Sequence, residues 1–342
     1  MRSLVLHKTD KGKKYSDLFR IEETSLPELS DDEVLVKVHF ASLNHRDLWI
    51  AEGAYSKIRL PVVLGSDGAG TVHSAGKNVK NFFRDDKVLI YPCRNWGESE
   101  DFQDRSFQIL GMPDNGTFAE YVRIPQSALY KIPAHLDLSM ASAFPLAGLT
   151  AFRALYTKAV LKKDDTVLIT GSGGGVSALA LMFAVASGAD VFVTSGSEQK
   201  ISKAVSLGAK GGVKYNNREW SKELLSLTGN KIDVIIDGTG GKFFSDFIEI
   251  GSYGARIVSY GATLGYPDRL DLHKVYWKQL KILGTTMGSA ADFRGMLDFI
   301  SDKKVVPVID NIYPFDEFCK AFDRMGNSEQ FGKIVMKINT GE

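Results

Sequence analysis

The residues best suited to chemistry form a small glycine-rich cluster that separates a short apolar run from a longer one, Val176–Ala186. A glycine turn between a strand and a helix lets backbone N–H groups approach a phosphate at the positive end of the helix dipole. The strict spacing G-x-G-x-x-G is not met, because residue 176 is valine, but Gly171, Gly174 and Ser177 satisfy a looser spacing of small residues. The pattern predicts dinucleotide binding, and the alternative is a turn used only for packing. The predicted phosphate-binding residues are Gly171, Ser172, Gly173, Gly174, Gly175 and Val176.

The next apolar run ends in residues that bear on the choice of nicotinamide cofactor. An NAD site usually places a carboxylate about 20 residues past the glycine turn, where it accepts hydrogen bonds from the ribose. Ser195 stands at that place here, followed by Ser197 and Lys200. Two hydroxyls and a positive charge suit a 2′-phosphate, so the sequence favours NADP(H) over NAD(H). Glu198 lies nearby, and Lys200 taken alone could equally be a solvated charge at the start of a helix.

The elements that position these residues alternate between strands and helices. Six such strands with intervening helices are typical of a doubly wound parallel sheet. The residues before about 130 are instead rich in strands, as in the alternating run Val34–Phe40, and predict a small β domain. We also expect one helix over Ser139–Leu161, two near the C-terminus over Ala291–Ser301 and Asp316–Met325, and a last strand over Lys333–Ile338. The six predicted strands are Thr166–Thr170, Asp190–Thr194, Gly212–Tyr215, Val234–Asp237, Arg256–Tyr260 and Lys281–Leu283.

Composition excludes several function classes. The chain has 342 residues, of which 44% are hydrophobic and 24% charged, and a net charge of +1, so nothing indicates a nucleic-acid partner. No apolar run reaches the roughly 18 residues of a membrane helix, and the N-terminus lacks the apolar segment of a signal peptide. The two cysteines, Cys93 and Cys319, are far apart in sequence, which suits a reducing cytoplasm.

The order of a β domain, a glycine-turn α/β domain and a short return segment resembles the medium-chain dehydrogenase/reductase superfamily. Within it, the chain looks most like the zinc-type alcohol dehydrogenase-like or quinone-oxidoreductase-like branch, because of its Asn95-Trp96-Gly97 loop and its Gly-Gly-Val-Ser turn. The matching segments are Ala41–Asp47, Leu64–Gly70, Asn115–Tyr121, Ala147–Ala151, Leu207–Ala209, Gly284–Ser289 and Phe331–Val335.

The resemblance implies a GroES-like domain over residues 1–135, completed by 287–342, and a Rossmann NADP-binding domain over 136–286. It places Tyr215 over the adenosine phosphate, as in NADP-using relatives. Gly238 and Gly261 follow the fourth and fifth strands of the second domain, where they leave room for the ribose and nicotinamide, although ordinary strand-end turns would look the same. The resemblance also implies a homodimer joined through the strand Lys281–Leu283.

The same resemblance locates the metal positions of zinc-using relatives, and this chain lacks their ligands. Those positions hold Asn44, Ser66 and Leu146, none of which is a good zinc ligand. The loop over Pro92–Asn115 corresponds to a lobe with four cysteines in those relatives, but here it contains only Cys93. The six histidines show no metal-like pairing either. We therefore expect no zinc of either kind.

Without zinc, hydride transfer needs hydrogen-bond donors at the acceptor oxygen or an activated alkene. Asn44 and Ser66 can donate, and Tyr55 lies at the spacing of a proton donor in enoyl-thioester reductases of the superfamily, although it could also be a packing residue. Arg46 could hold an anion or fix its loop, and Asp47 more often braces such a loop. Core packing is likewise favoured over lining a pocket for Trp49, Trp96 and Trp277.

The sequence thus predicts an NADPH-dependent oxidoreductase that reduces a carbonyl, quinone or activated alkene by direct hydride transfer. The catalytic candidates are Asn44, Tyr55 and Ser66, and no metal site is expected. The substrate would be a small molecule, with no nucleic-acid or membrane partner. The alternatives are a zinc-free alcohol dehydrogenase and an NADPH-binding protein whose main role is not catalysis.

Overall fold

Residues 1–339 are described by a computed structural model in which the chain divides into two units. The first unit is Met1–Ala147 together with the segment that begins at Gly288, and the second is Gly148–Met287. No helix within residues 1–339 is long and apolar enough to cross a membrane.

Ten strands and four short helices lie before residue 153. Val34, Val36 and Val38 of β3 are fully buried, as the alternating pattern predicted. The strands are β1 Arg2–Leu6, β2 Phe19–Glu23, β3 Glu33–Ser42, β4 Val62–Val63, β5 Asp67–Ala75, β6 Lys87–Ile90, β7 Cys93–Arg94, β8 Gln108–Ile109, β9 Tyr121–Pro125 and β10 Leu129–Lys131. The helices are α1 Tyr15–Leu18, α2 His45–Ala51, α3 Leu138–Ser142 and α4 Pro145–Phe152.

The predicted helix over Ser139–Leu161 is wrong as a single element. The chain forms α3, leaves helical structure at Ala143 and Phe144, and re-enters α4 at Pro145. Proline has no N–H to donate and is favoured in the first turn of a helix, so it starts α4 rather than continuing α3. After α4 the chain widens into a π-helical segment, Arg153–Lys158.

The second unit is an alternating α/β structure with one six-stranded parallel sheet. All six predicted strands are confirmed, within one or two residues at their ends. The strands are β11 Thr166–Ile169, β12 Asp190–Ser195, β13 Gly211–Lys214, β14 Val234–Asp237, β15 Arg256–Ser259 and β16 Lys281–Gly284. The helices are α5 Gly175–Ala186, α6 Glu198–Ser206, α7 Trp220–Leu227, α8 Phe243–Ile250 and α9 Leu272–Trp277.

The order of strands in this sheet is β13-β12-β11-β14-β15-β16, and every pairing is parallel. The order reverses between β11 and β14, which is the topological switch point at which doubly wound sheets bind ligands. Fully buried apolar residues such as Val167, Val193 and Ile235 form the sheet, and the same residues explain why these strands read as continuous apolar runs.

The C-terminal segment returns to the first unit. It contains α10 Ala290–Lys303, β17 Ile309–Pro314, a short 3-10 turn Phe315–Glu317, α11 Phe318–Gly326 and β18 Lys333–Lys337. Strand β18 pairs antiparallel with β3 and parallel with β17. The larger sheet of the unit therefore runs β10-β6-β5-β3-β18-β17, with β9 also paired to β3, while β2-β1-β4 form a second sheet.

Candidate functional site

The glycine turn has the geometry of an anion cradle. Gly171 and Gly173 have φ of 63° and 127°, left-handed values that favour glycine. Gly174 precedes the first residue of α5, and the Ser177 hydroxyl lies 3.0 Å from both the Gly171 and the Gly174 carbonyl oxygens. These carbonyls are turned toward Ser177, while the first N–H groups of α5 have no acceptor within the helix. The turn therefore offers backbone donors at the positive end of a buried twelve-residue helix.

The end of β12 brings most of the predicted adenosine-phosphate residues together. Ser195 is buried; its hydroxyl donates to the Ser172 carbonyl at 3.2 Å and accepts from the Ser197 N–H at 3.4 Å. A β-carbon on Gly196 would lie 2.7 Å from the Tyr215 hydroxyl, so Tyr215 packs against this loop. Lys200 lies in the first turn of α6, half-buried. The Ser195 proton is already used within this loop.

A buried carboxylate, Asp237, organises the next turn, and the sequence analysis did not single it out. It accepts hydrogen bonds from the Thr170 hydroxyl at 2.6 Å, from both the N–H and hydroxyl of Thr239, and from the Gly240 N–H at 3.0 Å. Its sequence position, at the end of a β-branched strand and directly before Gly-Thr-Gly-Gly, could have indicated a residue at the ligand-binding edge of the sheet. Asp237 thereby fixes the turn after β14 beside the turn after β11.

Gly238 and Gly261 meet at the same edge of the sheet. A β-carbon on Gly238 would lie about 2.4 Å from the Tyr260 ring, and one on Gly261 would lie 3.0 Å from the Gly238 carbonyl oxygen. Burial, and secondarily the Asp237 charge, raises the pKa of Tyr260, which therefore stays neutral. The predicted cofactor residues thus follow the carboxyl ends of five strands, β11, β12, β13, β14 and β15.

The three predicted catalytic residues belong to one cluster in the first unit, built around a buried ion pair. The Lys333 ammonium donates to the Leu43 carbonyl at 2.8 Å, to Asn44 Oδ1 at 2.7 Å and to Asp67 Oδ2 at 2.9 Å. Lys333 is 3% exposed and Asp67 is fully buried. The Asn44 amide donates to the same Asp67 oxygen at 3.0 Å. Neither Lys333 nor Asp67 was singled out from sequence, although a lysine opening an apolar strand was the visible signal.

A second buried cation, Arg46, connects Ser66 and Tyr55. Arg46 Nη1 donates to Ser66 Oγ at 2.8 Å and to the Leu110 carbonyl at 2.9 Å. The Ser66 hydroxyl donates its proton to that same Leu110 carbonyl at 2.8 Å. The Arg46 guanidinium lies 5.4 Å from the centroid of the Tyr55 ring, a cation–π distance. Tyr55 is half-buried, whereas Asn44 and Ser66 are buried.

Two neighbouring groups have perturbed acid–base properties. Burial raises the pKa of Asp47 to about 6, against the opposing effect of Arg46. Its carboxylate accepts from the Asn44 N–H at 2.9 Å at the start of α2, so it braces that loop. Burial, and then the Lys333 charge, lowers the pKa of His45, which favours the neutral imidazole.

The residues at the metal positions do not fit zinc. Asn44 Oδ1 already accepts from the Lys333 ammonium, and Ser66 Oγ already accepts from the Arg46 guanidinium. The side-chain oxygens of Asn44 and Ser66 thus each contact a cationic side chain, which would repel a metal ion. The nearby carboxylate oxygen, Asp67 Oδ2, already accepts from Lys333. Leu146 has no side-chain donor atom, and its backbone N–H donates to the other Asp67 oxygen. Within residues 1–339, no group of three or more His, Cys, Asp or Glu side chains is arranged to hold a metal.

The tryptophans differ in environment. Trp96 is buried and its indole N–H donates to the Ser99 carbonyl at 2.8 Å. Trp277 is 64% exposed, so the prediction that it packs in the core is wrong. It lies on α9, no residue of which is buried, and its ring stacks on His273.

Known protein families match segments of both units of the chain. Residues 30–134 match the alcohol dehydrogenase GroES-like domain, and residues 175–302 match the zinc-binding dehydrogenase family. The zinc-type alcohol dehydrogenase-like protein YogA of Leptosphaeria maculans is 34% identical over 96% of both chains. The chain belongs to the medium-chain dehydrogenase/reductase superfamily.

Other members of the medium-chain dehydrogenase/reductase superfamily are similar over nearly the whole chain. A crystal structure of an NAD-dependent alcohol dehydrogenase has a TM-score of 0.93 and 34% identity, covering 99% of this chain and 100% of its own. The quinone oxidoreductase of Mus musculus is 27% identical over 92% of this chain and 91% of its own. The expected fold, a GroES-like domain with a Rossmann domain, is confirmed, and the chain is an oxidoreductase of this superfamily.

Proposed function

We propose that this chain is an NADPH-dependent oxidoreductase that reduces a carbonyl, a quinone or an activated alkene by direct hydride transfer, without zinc. The observation that carries the proposal is the cluster of Lys333 and Arg46, whose cationic groups contact the two side chains at the metal positions. Stabilisation of a developing oxyanion must then come from hydrogen-bond donors of the protein.

The second unit supplies the proposed dinucleotide site. Bound NADPH supplies a hydride to an electrophilic carbon. The N–H groups of Gly173–Val176 are proposed to bind the pyrophosphate, because they lie at the start of α5. Ser197, Lys200 and Tyr215 are proposed to bind the 2′-phosphate, and Ser195 to hold the loop. Asp237, Gly238 and Gly261 are proposed to shape the space for the ribose and nicotinamide.

The choice of NADP over NAD is tested by binding. We expect NADPH to bind more tightly than NADH, and Lys200→Ala to weaken NADPH binding at least about ten-fold, as for loss of one charge-assisted contact. NADH binding should stay within two-fold. Lys203→Ala, on the same helix, is the matched control. Equal affinities for the two nucleotides in the wild type, measured by fluorescence titration, would refute the preference.

Tyr55 is the proposed proton donor of the cluster. Ser66 has given its only proton to a backbone carbonyl, and one Asn44 N–H is used by Asp67, which leaves one amide hydrogen for a substrate oxygen. Tyr55 carries a phenol on a half-buried ring held against Arg46. Ser66 therefore acts by fixing Arg46, and Arg46 in turn positions Tyr55.

Substitution of Tyr55 tests this role. Tyr55→Phe should lower kcat about 100-fold or more if the phenol is a general acid, while the affinity for NADPH is unchanged. Tyr253→Phe, at an exposed tyrosine of the second unit, is the control. A change in kcat of less than about three-fold would assign Tyr55 to packing.

Metal analysis tests the zinc-free part independently. We expect less than about 0.1 zinc per chain in the purified protein, and full activity after dialysis against a chelator. Stoichiometric zinc, or loss of activity that zinc restores, would overturn the proposed roles of Asn44 and Ser66.

A second candidate is a zinc-free alcohol dehydrogenase that works in the direction of oxidation, favoured by the similarity to a structure named as an NAD-dependent alcohol dehydrogenase. Assay of an alcohol panel with NAD⁺ and NADP⁺, beside a panel of quinones, enones and aldehydes with NADPH, separates the two. Tight NADPH binding without turnover of any compound would instead favour a binding protein.

The proposed assembly is a homodimer. Strand β16 is an edge strand of its sheet, and its Ile282 side chain is 39% exposed. An open edge can pair with the same edge of a second copy about a two-fold axis. Ile282→Pro should convert a dimer to monomer in light scattering, whereas Ile312→Pro in the first unit should not. A wild-type monomer would refute the assembly.

We also propose residues 136–286 as the NADP-binding domain, and 1–135 with 287–342 as the catalytic domain. Action in the cytoplasm is proposed because Cys93 and Cys319 are both free thiols.

A further inference from the structure

A cavity of about 700 Å³ lies within the first unit, at the loop that the sequence analysis compared with a zinc lobe. Both ends of that loop line it, through Arg94 and Asn95 on one side and Gln108 and Leu110 on the other. Cavities of about 300–1,000 Å³ are the size that encloses small organic ligands. None of the proposed dinucleotide-binding or catalytic residues lines this space, and the donor cluster meets it only at Leu110, whose carbonyl accepts from Arg46 and Ser66.

Arg94 is the unusual group in this cavity. Its guanidinium makes no side-chain hydrogen bond and no ion pair to any described residue, and its Nη1 is sealed from solvent without an acceptor. The other two guanidinium nitrogens are not sealed in this way, and Arg94 lines the cavity. Burial lowers the pKa of Arg94, with Asp114 and then Glu33 opposing the effect. An arginine stays charged under these conditions, so the cavity holds a guanidinium fork that has two carboxylates nearby but no hydrogen-bond acceptor among the described residues.

The other charges of the wall restrict what could bind there. Arg123 and Glu33 are 3.9 Å apart, and Glu33 also accepts from the Ser30 N–H at 3.1 Å. Asp114 is exposed and adds one negative charge to the wall. Two carboxylates beside Arg94 disfavour a doubly charged phosphate, whereas a single carboxylate matches the free fork. The apolar residues of the wall that are not buried include Pro27, Pro61 and Pro113, and their rings suit an apolar body.

We propose that the Arg94 cavity is a second ligand site, which binds a small organic monocarboxylate with an apolar body. The carboxylate accepts hydrogen bonds from the Arg94 guanidinium, and the apolar body lies against Pro27, Pro61 and Pro113. The site is separate from the proposed oxidoreductase chemistry, and its occupancy does not require NADPH.

Calorimetry with octanoate as the probe tests this site, with octanol as the uncharged analogue and inorganic phosphate as the other anion. We expect one octanoate per chain to bind saturably, and octanol and phosphate to bind at least about ten-fold more weakly. Arg94→Met should weaken octanoate binding at least about ten-fold, and Arg94→Lys should weaken it less because the charge remains. Arg105→Met, at an exposed arginine of the same loop, should leave it unchanged.

Arg94→Met removes a charge that has no partner, so the variant should fold, and its melting temperature checks this. Trp96 provides a second readout, because it is buried two residues from Arg94 and its fluorescence should change with octanoate. The proposal is overturned if octanoate does not saturate, if it binds Arg94→Met as tightly as the wild type, or if phosphate binds as well through Arg94.

Discussion

Replacement of Lys333 by methionine is the most direct test of the buried cluster. The substitution keeps most of the length of the side chain and removes three hydrogen bonds of 2.7 to 2.9 Å, to Leu43, Asn44 and Asp67. Asp67 would keep its neutral donors, Ser42, Asn44 and the Leu146 N–H, but would lose its only cation within 4 Å among the described residues. Breaking a buried pair in this way costs about 3–5 kcal/mol, because one charge stays buried without compensation.

The expected result is therefore a loss of about 3–5 kcal/mol in the free energy of unfolding at pH 7, measured by urea denaturation with calorimetry to separate the two units. The matched control is Lys337→Met, at an exposed position of the same strand, which should change stability by less than about 0.5 kcal/mol.

The reasoning is refuted if Lys333→Met costs less than about 1 kcal/mol, or as little as Lys337→Met. The zinc content of both variants and of the wild type is measured in parallel, so that a difference in bound metal is ruled out as the cause of the lower stability.

Three other predictions follow from named contacts. The raised pKa of Asp47 means that the folded state holds the Asp47 proton more tightly than the unfolded state does. The stability of the wild type relative to Asp47→Asn should therefore fall, by about 3 kcal/mol at most, as the pH rises from about 4 to 6. A difference in melting temperature that does not change with pH would contradict this. Gly116→Ala would place a β-carbon 2.0 Å from the Gly65 carbonyl oxygen and should cost about 3 kcal/mol or more, whereas Gly284→Ala, which has open space, should cost less than about 0.5 kcal/mol by thermal denaturation. Asp237→Ala leaves four hydrogen-bond donors without an acceptor. The Kd for NADPH should therefore rise at least about ten-fold in fluorescence titration. An unchanged Kd would show that Asp237 does not shape the nucleotide site.

The second unit could be predicted closely from sequence because its signals are local. A buried parallel strand is a continuous apolar run, and the glycine turn before α5 marks both the end of β11 and the start of the helix. The prediction of one helix across Ser139–Leu161 was wrong for an equally local reason, because Pro145 begins a new helix. The exposure of Trp277 could not be predicted in this way, because the sequence around an aromatic residue does not show whether another element packs against its ring.

The donor cluster could be predicted only in part because it is assembled over long separations. Asn44 and Lys333 are 289 residues apart in sequence, and Arg46 and Leu110 are 64 apart. The resemblance to the superfamily identified Asn44, Tyr55 and Ser66 as candidates, but it could not show that the Ser66 proton is already donated. Lys333 and Asp67 were hidden because a charged residue beside an apolar strand is usually at the surface.

The loop between Pro92 and Asn115 is fixed at its base and open at its tip. A β-carbon on Gly111 or Gly116 would collide with the Gly65 backbone, and Arg46 binds the Leu110 and Met112 carbonyls. Residues 100–106, by contrast, are exposed. A peptide inserted at this tip would leave the base intact, so the tip is a suitable place to graft an affinity tag or a fluorescent reporter without lengthening any strand.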